Sequence, residues 1–285
     1  MLTALRAVHE FEIAHKLEPD EQVAFGELAA RCNMDESDLR RVLRACMAWQ
    51  IFDEPRRGIA AHNAVSLAIA KVPFLTNQIG GCLSVLAPAA LRGVEQMQKW
   101  PGSQDPAHTA YALANGCDGV MFDILHQFPK QSEDYTKMMD ALGSAPMLHF
   151  DNCIRDLQWS EAEIPKTVVD MGGANGALSA GLLRKFPSIQ TAIVQDLPKV
   201  VARTEVPDDL KSRLRFQAHD FFEKQPVKAD VYFMRQIIHD WPEPQCVQIL
   251  RNLVPALRDG ARLILHEMVL LDHGKGSIME ERRQR

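Results

Sequence analysis

The sequence predicts an α/β protein: a Rossmann-like domain with about five parallel strands, preceded by a smaller and mostly helical module. Three observations carry this. From Pro165 onward, five short apolar runs (TVVDMGG, TAIVQDLP, LRFQAHDF, ADVYFMRQI and ARLILHEMVL) alternate with helix-like segments such as ALSAGLLRKF and PQCVQILRNLVPAL. Strand and helix alternating at this spacing build parallel βαβ units, with a twisted sheet covered on both faces. The first seventy residues have a different texture of short helices and two small extended pieces. At 285 residues the chain can bury two cores, and the divide is expected near residue 160, giving 1–160 and 161–285.

In chain order, AFGELAARCNMDESDLRRVLRACMAWQ has apolar residues at helical spacing, interrupted at Cys32-Asn33-Met34. Asp35 reads as the N-cap of the second of two helices. IFDEPRRGIAAHNAVS then carries two extended pieces around Pro55-Arg56-Arg57-Gly58, so that helix, turn, helix and hairpin make a winged-helix module. A longer helical region follows, from about Ser66 to Leu157, with breaks expected at Pro73, Pro101 and Pro129.

Hydrophobic residues make up 46% of the chain and charged residues 24%, an ordinary globular balance. The formal net charge of -5 gives no reason to expect a polyanionic partner. Six cysteines (32, 46, 82, 117, 153, 246) lack any C-x-x-C pair, which suits reduced thiols better than disulfides or zinc. No metal site is expected. The N-terminus lacks an uninterrupted signal core, the apolar runs read as too short for a membrane span, and a cytoplasmic location is expected.

The chemistry concentrates at strand ends. Val168 to Gly176 is a buried strand running into a Gly-rich turn and a helix, where small residues let the backbone approach a ligand beside a helix N-terminus. The dinucleotide fingerprint fits poorly, because its offsets from Gly172 fall on Ala174 and Ala177. Acidic-x-Gly-x-small-x-Gly fits better, with Asp170, Gly172, Gly173 and Gly176. Asp196, followed by Leu197, ends the next strand, where a carboxylate can accept from ribose hydroxyls. Asp220 and Phe221 end the third, offering an acceptor and an apolar plate for a base. Carboxylates here suit a cationic nucleoside such as S-adenosylmethionine and would repel a pyrophosphate. A lone turn of this kind reads as structural; three successive strands ending in Asp on one sheet edge shift the reading to a nucleoside site.

VVDMGGANG, VQDLP, AHDFF, and above all FMRQIIHDWPEPQC followed by LILHEMVL resemble the plant and fungal small-molecule O-methyltransferases that include caffeic acid O-methyltransferase. The resemblance runs over nearly the whole chain. It implies a class I methyltransferase fold, S-adenosylmethionine as cofactor, a homodimer, and a phenolic acceptor on a small aromatic or polyketide-like secondary metabolite. In that family the histidine of the HDW motif is the general base, which is His239 here. Glu267 matches the carboxylate that orients it, and Asp240 offers a second support. Arg235 and Trp241 fall where the family contacts the cofactor, although lysine is commoner at the former. Phe122 and Met139 are candidate substrate-cavity residues, though apolar side chains at helical spacing are core by default.

A general base is needed because a phenol, with pKa about 10, is ionised roughly once per thousand molecules at neutral pH. An imidazole can take that proton. The resemblance also implies a seven-stranded sheet and an N-terminal helical extension, so the chain reads as truncated at both ends, with an exposed sheet edge. Two rival functions are a cofactor-binding relative that does not methylate and a winged-helix DNA-binding regulator. Against the latter, residues 1–70 carry eight Lys and Arg and eleven Asp and Glu, a poor match for phosphates.

Overall fold

The computed structural model describes residues 1–146, 148–269 and Lys275. The chain divides into two compact units, Met1–Leu148 and His149–Arg285, so the boundary falls before the expected 160/161. The reason is local packing: the helix Phe150–Asp156 lies against the helix Ala177–Lys185 of the second unit. Phe150 and Ile154 fill the space that a side chain at Gly181 would occupy.

In the first unit, strands β1 (Gln22–Ala24), β2 (Asp53–Arg56) and β3 (Ile59–Ala61) form an antiparallel sheet in the order β1-β3-β2. The helices Phe25–Arg31 and Glu36–Met47 provide the expected helix–turn–helix, burying Phe25, Leu28, Leu39 and Leu43. Asp35 caps the second helix by accepting from the Ser37 and Asp38 amides. The arginines on that helix pair with neighbouring acids: Arg40 with Glu36, Arg41 with Asp38 and Arg44 with Glu54.

The helical region beyond differs from the expectation in one respect. Pro73–Lys99 is long and apolar enough, by length and composition, to cross a membrane, contrary to the reading that no such run exists. Core helices of soluble proteins share this length and composition. The stretch contains a π turn at Cys82–Leu86. Pro88, with no amide hydrogen and a ring that crowds the preceding turn, accounts for the irregularity. Its first part packs on the helix Pro129–Ser144, where a Cβ at Gly81 would stand 2.5 Å from that of Met138.

In the second unit, β4 (Thr167–Met171), β5 (Thr191–Asp196), β6 (Leu214–Ala218), β7 (Val231–Arg235) and β8 (Arg262–His266) form a parallel sheet in the order β6-β5-β4-β7-β8. This is the five-stranded doubly wound sheet read from the sequence. Strand order reverses between β4 and β7, which pair from Val168↔Val231 to Asp170↔Phe233. Val168, Val194 and Phe233 lie in an apolar core with Leu182 and Leu183, and Val169, Tyr232 and Met234 in another with Ile249 and Leu253. Burial on both faces explains why these strands read as continuous apolar runs. Among the described residues β8 pairs only with β7.

A Cβ on Gly181 would lie 2.6 Å from a Phe150 ring carbon and 2.7 Å from a Ile154 methyl. Gly181→Val is therefore expected to destabilise the second unit by about 1–3 kcal/mol, read as a fall of several degrees in melting temperature by circular dichroism. An unchanged melt would mean that this helix does not dock there.

Candidate functional site

Doubly wound sheets bind ligands outside the carboxyl ends of the strands, where strand order reverses. Here the two turns at that point follow β4 and β7. The first, Gly172–Gly176, leaves the strand with Gly172 and Gly176 in left-handed backbone (φ 72° and 74°) and Ala174 at φ 47°. The Gly172 and Gly173 amides donate to the Gln195 carbonyl at 2.8 and 3.2 Å. A side chain at Gly172 would strike Ile237 at 2.4 Å, so the glycine lets the second turn come close.

That second turn, Gln236–Trp241, carries His239 on a short 3₁₀ segment, Ile238–Asp240. Gln236 is also left-handed, at φ 57°. Glu267, just past β8, organises the turn. Its Oε1 accepts from the Ile237 and Ile238 amides, both at 2.8 Å, and its Oε2 lies 2.6 Å from His239 Nδ1. The solvated strand-end acid that a sequence alone allows is thus excluded: Glu267 is only 17% exposed and meets three donors. With Nδ1–H donated to the carboxylate, Nε2 keeps its lone pair and is the ring nitrogen able to accept a proton. Asp240 stands on the other side of the ring, Oδ1 3.4 Å from Nε2; burial raises its carboxyl above the ordinary value and the facing imidazole opposes that rise. It neighbours the basic nitrogen, whereas the residue that braces the ring is Glu267. The Cys246 thiol ties the turn down by donating to the Ile238 and Trp241 carbonyls at 3.4 and 3.2 Å.

The other strand ends lie in the same unit. Asp196 Oδ2 accepts from the Ala174 amide at 2.9 Å and Oδ1 from the Leu197 amide at 2.8 Å, so the second strand's carboxylate buttresses the first strand's turn. Burial raises its carboxyl, against those two amides. Asp220 caps its own loop by accepting from the Phe222 amide at 2.9 Å. Trp241 stands edge-on to Phe222 and Phe221, with centroids 4.7 and 5.9 Å away.

Asp170 is placed differently from the expectation of a carboxylate facing a ligand. It is 1% exposed, beneath the turn, with Ser179 Oγ donating to Oδ2 at 2.8 Å. Burial pushes its carboxyl up to about 6, opposed by the Ser179 bond and the Arg235 charge and assisted by Asp196. A Cβ at Gly173 would meet this carboxyl at 2.6 Å. Arg235, at the end of β7, therefore acts on Asp170 from inside the unit.

Phe122 and Met139 belong to the first unit. Phe122 meets Tyr135 edge-on at 6.2 Å, and Met139 is half-buried on the helix Pro129–Ser144. A cavity of about 420 Å³ lies in that unit, lined by Phe74, Asn77, Asp140 and Ser144 among others, and neither candidate lines it. Sequence reasoning missed Ser179, Cys246 and a buried glutamine pair, Gln195 with Gln225. The last left one visible signal, a polar residue inside the apolar run TAIVQD.

Strand-end carboxylates, a glycine turn and a carboxylate-held histidine around the switch point define a class I methyltransferase fold. A family model of the O-methyltransferase domain matches residues 102–283, and the chain belongs to that family. "O-methyltransferase kk1A" of Curvularia clavata is 37% identical over 268 residues, covering 94% of this chain and 63% of the relative, so the chain spans under two thirds of that protein's length. The solved structure of OxaC in complex with SAH and oxaline superposes with a TM-score of 0.81 at 24% identity, over 99% of this chain and 73% of that one. "A Pericyclic Reaction enzyme" superposes at 0.72 and 23% identity, over 93% and 69%, and shares the fold.

A carboxyl raised on folding stabilises the fold while protonated and loses that contribution as pH climbs through its folded value. For Asp170 the window runs from about pH 4 to past 6, and the loss is at most about 3 kcal/mol. Asp170→Asn has no such titration, so its stability relative to the parent should rise between pH 4.5 and 7.5 in urea denaturation. A constant difference would mean that the Asp170 carboxyl does not titrate in this window.

Proposed function

We propose that this chain belongs to an S-adenosylmethionine-dependent O-methyltransferase that methylates a phenolic hydroxyl of a small aromatic or polyketide-like metabolite, with His239 as general base. The observation that carries this is the Glu267–His239 pair: one carboxylate oxygen held by two backbone amides, the other holding Nδ1, so that Nε2 is the proton acceptor. Family membership and the name of the Curvularia relative support the reaction class.

The residues at the strand ends suit this cofactor. The Gly172–Gly176 turn contains no lysine or arginine, Asp196 braces it, and Asp170 lies beneath. That charge pattern favours a cation and disfavours a pyrophosphate. OxaC, with the same fold, is described with SAH and oxaline bound, which supports a small-molecule acceptor. When bound, the cofactor supplies a methyl group on a sulfonium. The protein's own part is to seat the nucleoside on Asp196, Asp220 and Phe221, and to remove the acceptor's proton at His239 Nε2 while Glu267 holds the ring.

A homodimer is part of the proposal. Leu91, Val94 and Met97 are 73%, 65% and 67% exposed along one stretch of the first unit, an apolar surface that suits a second copy. Within the helix–turn–helix, Arg40, Arg41 and Arg44 are each engaged by an acid, which favours this role over DNA binding. The six cysteines are free, in keeping with a reducing, cytoplasmic compartment.

Calorimetric titration with SAH, together with mass spectrometry of phenols incubated with methyl-labelled S-adenosylmethionine, tests the reading. Labelled ether is expected, and uptake of cofactor without any labelled product would point to a non-methylating relative. His239→Gln and Glu267→Gln should each lower turnover by about 10²- to 10⁴-fold with SAH affinity nearly unchanged. For the dimer, Leu91→Asp with Val94→Asp should halve the mass in sedimentation velocity; a parent that is already monomeric would exclude it.

A further inference from the structure

Buried side-chain amides are costly unless every donor and acceptor is met, and apolar residues would fill the same core positions without that demand. Gln195 and Gln225 are 1% and 6% exposed. Gln195 Nε2 donates to Gln225 Oε1 at 2.9 Å, and Gln225 Nε2 donates to Gln195 Oε1 at 2.7 Å. The orientation is not arbitrary. The Val227 amide donates to Gln225 Oε1 at 3.0 Å, which identifies that atom as the oxygen, and reciprocity then orients Gln195. The second Gln195 amide hydrogen goes to Gln217 Oε1 at 3.0 Å.

The glutamines come from two segments that offer candidate cofactor residues, the end of β5 and the β6 strand with its following loop. Gln195 immediately precedes Asp196, and its carbonyl receives the Gly172 and Gly173 amides. Gln217 lies on β6, whose following loop carries Asp220. Gln225 follows Phe221 and Phe222 and donates its backbone amide to the Asn252 carbonyl at 3.0 Å. Asn252 in turn donates from its side chain to the Phe222 carbonyl at 2.5 Å. The side-chain amides thus cross-link the β5 end with β6 and the loop that follows it, and the glycine turn is tied to the same β5 end through the Gln195 backbone carbonyl, while His239 and Glu267 are held by other contacts.

We propose that the Gln195–Gln225 pair, with Gln217, is a positioning device that sets the spacing of the loops holding the nucleoside half of the cofactor; this rests on the cofactor reading above. Apolar packing tolerates sliding, whereas two opposed amides meet in one register only. Breaking the pair should therefore weaken nucleoside binding and leave proton removal at His239 largely intact.

The test compares the unaltered chain with Gln225→Met and the double variant Gln195→Met/Gln225→Met. SAH affinity is read by calorimetry, unfolding by thermal melt, and KM and kcat with a methylated acceptor. Methionine keeps the length and removes the amide. The single variant strands one buried amide, so melting temperature and SAH affinity should both fall, the latter by about tenfold. The double variant removes both buried side-chain amides and leaves only the Val227 amide and Gln217 Oε1 without these partners, so melting temperature should recover in part while SAH binding and the cofactor KM stay about tenfold weaker, with kcat within about threefold. A double variant with the parent's affinity overturns the proposal, because the pair would then serve only its own burial. Should Gln225→Met fail to fold, the partly buried Gln217→Met reads the same cluster: about threefold weaker SAH binding is expected, and unchanged affinity overturns it. If the unaltered chain takes up no SAH, the cofactor reading fails and the inference with it; if it binds and the variants bind equally, the inference alone fails.

Discussion

The parallel pairing of β4 with β7 is the constraint from which the site follows. These two strands lie side by side although two strands separate them in the chain, and both are buried on both faces. Their successors leave in opposite directions around the sheet, so the turns that follow them are brought face to face with no helix between. Gly172 and Ile237 meet there with no room for a side chain on the former. Left-handed backbone at Ala174 and Gln236, neither of them glycine, marks both turns as conformations held by their surroundings.

Around that meeting point the acids divide their labour according to solvent exposure. Glu267, largely withdrawn from solvent, holds the more exposed imidazole with one oxygen and the backbone of the same turn with the other, so that ring and turn are oriented together. Asp196 spends both oxygens on amides, one from the neighbouring turn. Asp170 is withdrawn below the surface, where Ser179 and the charge of Arg235 offset its desolvation. Three strand-end acids that look alike in the sequence therefore differ in what they touch.

The position of the histidine turn was legible because its signal is local, whereas the roles expected of His239 and Glu267 came from the family resemblance. His239 follows an apolar strand run directly, and Glu267 closes the next one, so both had to emerge at the same sheet edge once the strands were parallel. Asp196 was placed at its strand end for the same reason, whereas Asp220 and Phe221 fall past the end of β6, in the loop that follows it. The burial of Asp170 was not, because it depends on the helix Ala177–Lys185 folding back to bring Ser179 against it. Nor was the Gln195–Gln225 pair, thirty positions apart in the chain: the oddity of a glutamine in a strand is visible, its partner is not. The length of the Pro73–Lys99 stretch was not legible because polar residues such as Asn77, Gln78 and Glu95 interrupt its apolar residues, so no unbroken apolar run marks it; Pro88, inside it, is absorbed by a wider turn.

What the sequence alone determined is the order and type of the second unit's strands, the glycine turn, and which side chains stand at strand ends. Each follows from a period or a backbone preference a few residues long. Only the tertiary structure decided which of those side chains reach solvent, which atoms they meet, and where the first unit ends. Desolvation and hydrogen bonding are set by whatever the fold brings up from far along the chain, and no local pattern encodes that.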